Sequence, residues 1–129
     1  MAILHTTSID LLTGDQPAEK SLGVTVDTTG AAVDVSERQQ ITIQFRGASI
    51  SGGGSGVFTI DGSNDGTNWT TSLAMHNMTQ TAAATNVTSV TISANGSVMV
   101  SVQPGFRYIR AVVDQTTSGT YFASMESGG

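Results

Sequence analysis

A dense turn sequence near the middle of the chain does most to limit how this protein can fold. Residues 62–69 read GSNDGTNW, between the alternating run VFTID at 57–61 and the run TTSL at 70–73. Asp and Asn side chains bond to backbone two residues further on, and glycine takes positive φ at no steric cost. The pattern predicts a β-hairpin. Trp69, the single tryptophan, would open the return strand and cap one end of a β core.

The residue types favour an all-β fold. Val and Ile together number 20 against five Leu, and Thr numbers 19. Side chains branched at Cβ suit a pleated sheet better than a helix. A length of 129 residues is that of one domain with its own core. We therefore expect a single all-β domain.

Charge and cysteine content argue against several classes of protein. The net charge is −5, and the five Lys and Arg residues are too few for the clustered phosphate contacts of a nucleic-acid binder. There is no cysteine for disulfides or thiolate chemistry. The start lacks a secretory signal pattern, and no run approaches the roughly 20 apolar residues that span a bilayer. We expect no nucleic-acid or membrane partner, and synthesis in a cytoplasm.

The first 21 residues predict an extended arm that precedes a single β-sandwich domain at residues 22–129. A turn sequence at 13–17 separates a short apolar patch from one helical turn at 18–20. The arm either packs on its own domain or pairs with a neighbouring subunit. In the second alternative its apolar side chains become candidate interface residues: Ile9, Leu11 and Leu12.

Alternating segments predict short strands through the rest of the chain. The segment 22–27 alternates, with Leu22, Val24 and Val26 on one face, and predicts a strand; further strands are expected at 31–35 and 40–46. Two more hairpins are predicted at 89–102, around Asn95-Gly96, and at 106–125, around residues 115–118. Residues 74–88 show no convincing period. About eight short strands indicate an antiparallel, jelly-roll-like β-sandwich, with a small barrel as the alternative.

The central turn also matches the first half of an EF-hand loop, with oxygen ligands at its first, third and fifth positions and glycine at the sixth. Position 12 is Ser72 instead of Glu, and strands flank the loop. The calcium candidates are Asp61, Asp65 and Asn68. The alternative is a loop held by its own Asx turns.

The sequence gives little support for catalysis or for a cofactor. The two histidines, His5 and His76, have no acidic residue at a spacing that makes a metal site or a triad. We expect no enzyme activity and no cofactor. Arg107 and Arg110 fall on opposite faces of a strand, and together with Trp69 they complete the interface candidates, because Arg and Trp are enriched at interfaces.

Two segments resemble a known family. Residues 58–69 (FTIDGSNDGTNW) and 106–113 (FRYIRAVV) are similar to the galactose-binding-like jelly roll of discoidin and coagulation-factor 5/8 type C domains. The same pair of motifs occurs in small structural proteins of tailed bacteriophages. Sugar-binding members present aromatic residues on loops at one end, whereas most aromatic residues here fall in strand-like positions, so no residue inherits a sugar-binding role.

The resemblance implies a structural protein of a phage virion. The expected role is a capsid decoration or cement protein that bridges capsid subunits, with the major capsid protein and copies of itself as partners, as a homo-oligomer such as a trimer. The alternatives are a carbohydrate-binding adhesion module and a structural subunit of the tail or baseplate. The expected location is the virion.

Overall fold

The computed structural model describes residues 8–36, 38–78 and 86–126. These residues form an all-β structure, as the sequence predicts, with one 3₁₀ turn at Ala18–Lys20 where a single helical turn is expected. The strands are β1 (Ser8–Asp10), β2 (Thr28–Thr29), β3 (Val33–Asp34), β4 (Ile41–Ala48), β5 (Ser55–Ser63), β6 (Met75–Asn77), β7 (Asn86–Val87), β8 (Val90–Ile92), β9 (Gly96–Val102), β10 (Tyr108–Thr116) and β11 (Thr120–Glu126). Their number is eleven, where about eight are expected, because several have only two or three residues.

The strands form two antiparallel sheets packed as a sandwich. The six-stranded sheet has the order β1-β11-β4-β9-β6-β7. The five-stranded sheet has the order β2-β10-β5-β8, and β3 also pairs with β10. Along β4, β5, β9, β10 and β11, successive strands belong to different sheets, so the chain repeatedly crosses the core.

Alternate residues of the long strands fill the core between the sheets. On β4 the fully buried side chains are Ile41, Ile43 and Phe45, at a period of two. Phe45 stacks on Phe58 of β5 with ring centroids 4.6 Å apart, and Phe58 meets Tyr121 edge to face at 5.9 Å. These aromatic pairs join the two sheets at the centre of the sandwich.

Tyr121 fits the core only because glycines surround its ring. A Cβ at Gly56, on the opposite sheet, would lie 2.6 Å from a ring carbon of Tyr121. The phenol hydroxyl donates a hydrogen bond to the carbonyl of Ser118 at 2.8 Å, which satisfies the one polar atom of the ring. Burial raises the pKa of Tyr121.

The two later hairpin predictions are wrong in their pairing. β8 pairs with β5 in one sheet, whereas β9 pairs with β4 and β6 in the other. β10 and β11 are likewise in different sheets. The turn at Asn95-Gly96 does not have type I′ geometry, because Asn95 has a negative φ. The Asn95 side chain instead accepts a hydrogen bond from Ile50 N–H at 3.0 Å. Strand alternation is the same for a hairpin and for a crossing between sheets, so the sequence pattern does not distinguish them.

The central hairpin is present only in reduced form. β5 ends at Ser63, and the returning chain makes a single bridge between Gly62 and Thr70 and one further bond from Leu73 N–H to the Ile60 carbonyl. Trp69 does not belong to the core cluster, contrary to the expectation that it caps the core. Within the segment 74–88, β6 and β7 pair with each other, and residues 79–85 lie outside the described residues.

Candidate interaction surface

The loop after β5 is held together by Asp65. Its Oδ1 accepts hydrogen bonds from the backbone N–H groups of Thr67 and Asn68, both at 2.8 Å, and from the Ser63 hydroxyl at 3.0 Å. Its Oδ2 accepts from the Asn68 side-chain amide at 2.8 Å. These bonds, led by the Asn68 N–H, hold the pKa of Asp65 far below its ordinary value. Asp65 therefore serves the loop as an Asx-turn anchor.

Asp61 is the buried acidic residue of this region. It points to the outer face of β5, yet only 4% of its side chain is exposed. Its Oδ2 accepts from Arg110 Nε at 3.0 Å, and its Oδ1 accepts from Ser72 N–H at 3.2 Å. Asp61 and Arg110 are direct register partners on β5 and β10. Both oxygens of this carboxylate are thus satisfied by neighbouring elements.

Trp69 covers the Asp61–Arg110 pair from the loop side. The guanidinium carbon of Arg110 lies 4.2 Å from the centroid of the Trp69 ring, in cation–π contact. The loop at 64–72 therefore folds back over the outer face of the five-stranded sheet, and a ladder of three side chains fastens it there: Asp61, Arg110 and Trp69.

Arg107 occupies a more exposed position beside this ladder. Its Nε lies 3.7 Å from Asp34 Oδ2, and about half of each side chain is in contact with solvent. Its backbone N–H donates to Asn64 Oδ1 at 3.2 Å, and its guanidinium lies 5.3 Å from the Tyr108 ring centroid. The Ser36 hydroxyl and N–H, more than Arg107, lower the pKa of Asp34. Surface pairs of this kind add little to stability.

The three calcium candidates bond in two separate groups. Asp61 bonds to Arg110 and Ser72, whereas Asp65 and Asn68 bond to each other. Among the described residues no group of three or more His, Asp or Glu side chains could hold a metal ion. The contacts are those of a loop held by its own side chains, the alternative that the sequence left open.

The apolar interface candidates of the first 21 residues lie on their own domain. Leu11 and Leu12 are buried in the core, and Ile9 packs against it. β1 pairs with β11, and Asp10 Oδ1 accepts from the N–H groups of Leu12 and Thr13, which turns the chain inward. Leu11 and Leu12 therefore have almost no surface left for a partner.

Two exposed apolar side chains were missed by sequence reasoning. Leu22 is 89% exposed and Val26 63% exposed, although the alternation places both on the apolar face of a predicted strand with Val24. No strand forms at 22–27, and Val24 alone makes an isolated bridge to Tyr121 of β11. Because Tyr121 also pairs with Gly47, Val24 lies on the same edge of β11 as β1. A period of two in hydrophobicity cannot show which of its faces has a second sheet above it.

No family model, curated protein or solved structure matches the chain. Among the described residues, no helix is long and apolar enough to cross a membrane. By its fold and surface, the protein is an antiparallel β-sandwich. Its loop at 64–72 is held on the outer face of one sheet, and an exposed apolar segment lies at one edge of the other.

Proposed function

We propose that this protein is a non-enzymatic structural component of a tailed-bacteriophage virion, acting as a decoration or cement protein that bridges capsid subunits. The observation that supports this role best is the exposure of Leu22 and Val26 on the segment that follows the edge of β11. Two large apolar side chains exposed to this degree gain free energy when a neighbouring protein removes them from water. Attachment to the shell would remove this surface from water.

The energetic basis of such a role is binding alone. A protein that binds the assembled shell and not its free subunits stabilises the shell by mass action. The low charge of the chain, 12% of residues, reduces like-charge repulsion between closely spaced copies.

The test uses heads of the parent phage assembled without this protein. The purified protein is examined by size-exclusion chromatography with light scattering, alone and mixed with these heads. We expect co-migration with the heads and a higher temperature of genome release. The double variant Leu22→Ser/Val26→Ser should bind at least about tenfold more weakly, which corresponds to about 1.4 kcal/mol.

The matched control is Met78→Ser, which removes an exposed apolar side chain elsewhere on the molecule. It should bind heads as the parent protein does. A protein that neither co-migrates with the heads nor changes their thermal release would overturn the proposal. Binding that is equally strong in the Leu22/Val26 variant would move the contact to another surface.

A further inference from the structure

The exposed segment at residues 22–27 connects surfaces of opposite charge. It begins beside the six-stranded sheet, where Val24 forms its bridge to β11, and it ends at β2 of the five-stranded sheet. Its exposed apolar side chains, Leu22 and Val26, come just before and just after that bridge along the chain. The charged groups at the two ends of the segment therefore determine which partner can cover it.

The end next to Leu22 carries a positive charge. A Cβ on Gly23 would lie 2.8 Å from two ring carbons of Phe122 on β11, so the backbone after Leu22 rests against this ring. The guanidinium carbon of Arg46 on β4 lies 3.9 Å from the centroid of the same ring. Arg46 is exposed, and within the described part of the chain no carboxylate forms an ion pair with it. The ring thus positions a guanidinium that is open to an anion.

The end next to Val26 carries negative charge. Asp27 follows Val26 directly, and its Oδ1 accepts a hydrogen bond from Gln115 N–H on β10 at 2.8 Å. Asp114 precedes Gln115 on that strand, and both carboxylates are exposed. Neither carboxylate belongs to an ion pair among the residues that the structure describes. We call the whole surface the bipolar edge, and in order it consists of Arg46, Leu22, Val26, Asp27 and Asp114.

We propose that the bipolar edge binds an extended segment of a shell subunit with an acidic side chain at one end, apolar side chains in the middle and a basic side chain at the other end. The acidic side chain pairs with Arg46, and the basic one lies between Asp27 and Asp114. The inference rests on the proposed role in the virion and specifies the partner of the same surface. Opposite charges fix the direction of the partner, because the reversed direction brings like charges together. The segment 22–27 spans at most about 21 Å, which an extended partner covers with about six residues.

Charge reversal at each end of the bipolar edge tests this proposal. Binding to heads assembled without the protein is measured by co-sedimentation, at about 50 mM and about 500 mM salt. We expect Arg46→Glu and Asp114→Lys each to weaken binding by about tenfold or more at the lower salt, because each brings like charges together. The first change makes the protein more acidic and the second makes it less acidic. An effect of net charge alone would therefore change the two affinities in opposite directions.

Asp34→Lys is the matched control for Asp114→Lys. The charge change is the same, but Asp34 is the register partner of Tyr108, at the other end of β10 from Asp114. This variant should bind heads as the parent protein does. The higher salt should weaken binding of the parent protein and reduce its advantage over both charge reversals, because salt screens exposed charges. Circular dichroism establishes that each variant is folded.

Three results would overturn the proposal. The first is unchanged binding in Arg46→Glu and Asp114→Lys while Leu22→Ser/Val26→Ser binds weakly, which would exclude a charged partner and leave the role in the virion intact. The second is a parent protein that does not bind heads, which would remove the role and this inference together. The third is a dimer of the parent protein without heads that either charge reversal abolishes, which would make the partner a second copy of this chain.

Discussion

Asp61 and Asp10 are both buried carboxylates on the outer face of a sheet, but their surroundings differ. Asp61 on β5 accepts from Arg110 with one oxygen and from Ser72 N–H with the other. Asp10 on β1 uses one oxygen for the turn that follows and has no described partner for the second. Burial alone therefore does not mark a binding site. Both oxygens of Asp61 are bonded within the fold, whereas Asp10 keeps one buried acceptor oxygen without a described partner.

The largest expected loss of stability comes from replacing Asp61 by Asn, and the same replacement at Asp10 is its comparison. Asp61→Asn should lower the free energy of unfolding by about 2 kcal/mol. The NH₂ group of the asparagine would face a donor, either Arg110 Nε or Ser72 N–H, and Arg110 would lose its counter-charge. The value lies below that for a fully buried pair because 26% of the Arg110 side chain is exposed. Urea unfolding followed by circular dichroism measures it.

Asp10→Asn is the matched comparison. We expect its stability to stay within about 0.5 kcal/mol of the parent, because its carbonyl oxygen can keep the turn bonds and no cation loses a partner. Equal losses of stability in Asp61→Asn and Asp10→Asn would contradict the difference between the two carboxylates. They would mean that Asp10 is bonded as fully in solution as Asp61.

Local sequence pattern predicted what depends on neighbours along the chain. The alternation on β4, the 3₁₀ turn at Ala18–Lys20 and the Asx turns of the 62–69 loop each depend on residues a few positions apart. The sandwich followed from these segments taken together. The partner of Asp61 in this loop is Arg110, 49 residues away, and no local pattern indicates that contact.

What the pattern could not predict depends on distant partners. β8 and β9 alternate as a hairpin would, but each finds a better-buried neighbour in a different sheet. Leu22 and Val26 match a core pattern but have no second sheet above them. Asp10 shows no signal in the sequence, because its unpaired oxygen becomes visible only when β1, β4 and β11 are brought together.

Trp69→Ala should have an intermediate effect on the free energy of unfolding, through the loop that lies over Asp61 and Arg110. Loss of the ring removes its cation–π contact with Arg110 and uncovers the Asp61 pair, at about 1 kcal/mol. Trp69→Phe keeps an aromatic face and should lose less. Unfolding midpoints in urea give both values. If alanine and phenylalanine variants are as stable as the parent, the loop is not fastened through this ring.

The smallest expected effect concerns the pH dependence that Asp65 gives to the same loop. Its carboxylate accepts from two backbone N–H groups and two side chains, so the pKa is lower in the folded than in the unfolded chain, where it is near 3.8. The folded state is then stabilised by ionised Asp65 above that ordinary value, and this contribution is lost as the pH falls below it. Asp65→Asn should therefore reduce the loss of stability between about pH 7 and about pH 3, measured as the shift of the urea midpoint. Because the side chain is exposed, the change should be small, and an identical pH dependence in the two proteins would show that the loop bonds do not discriminate between the ionised and protonated forms.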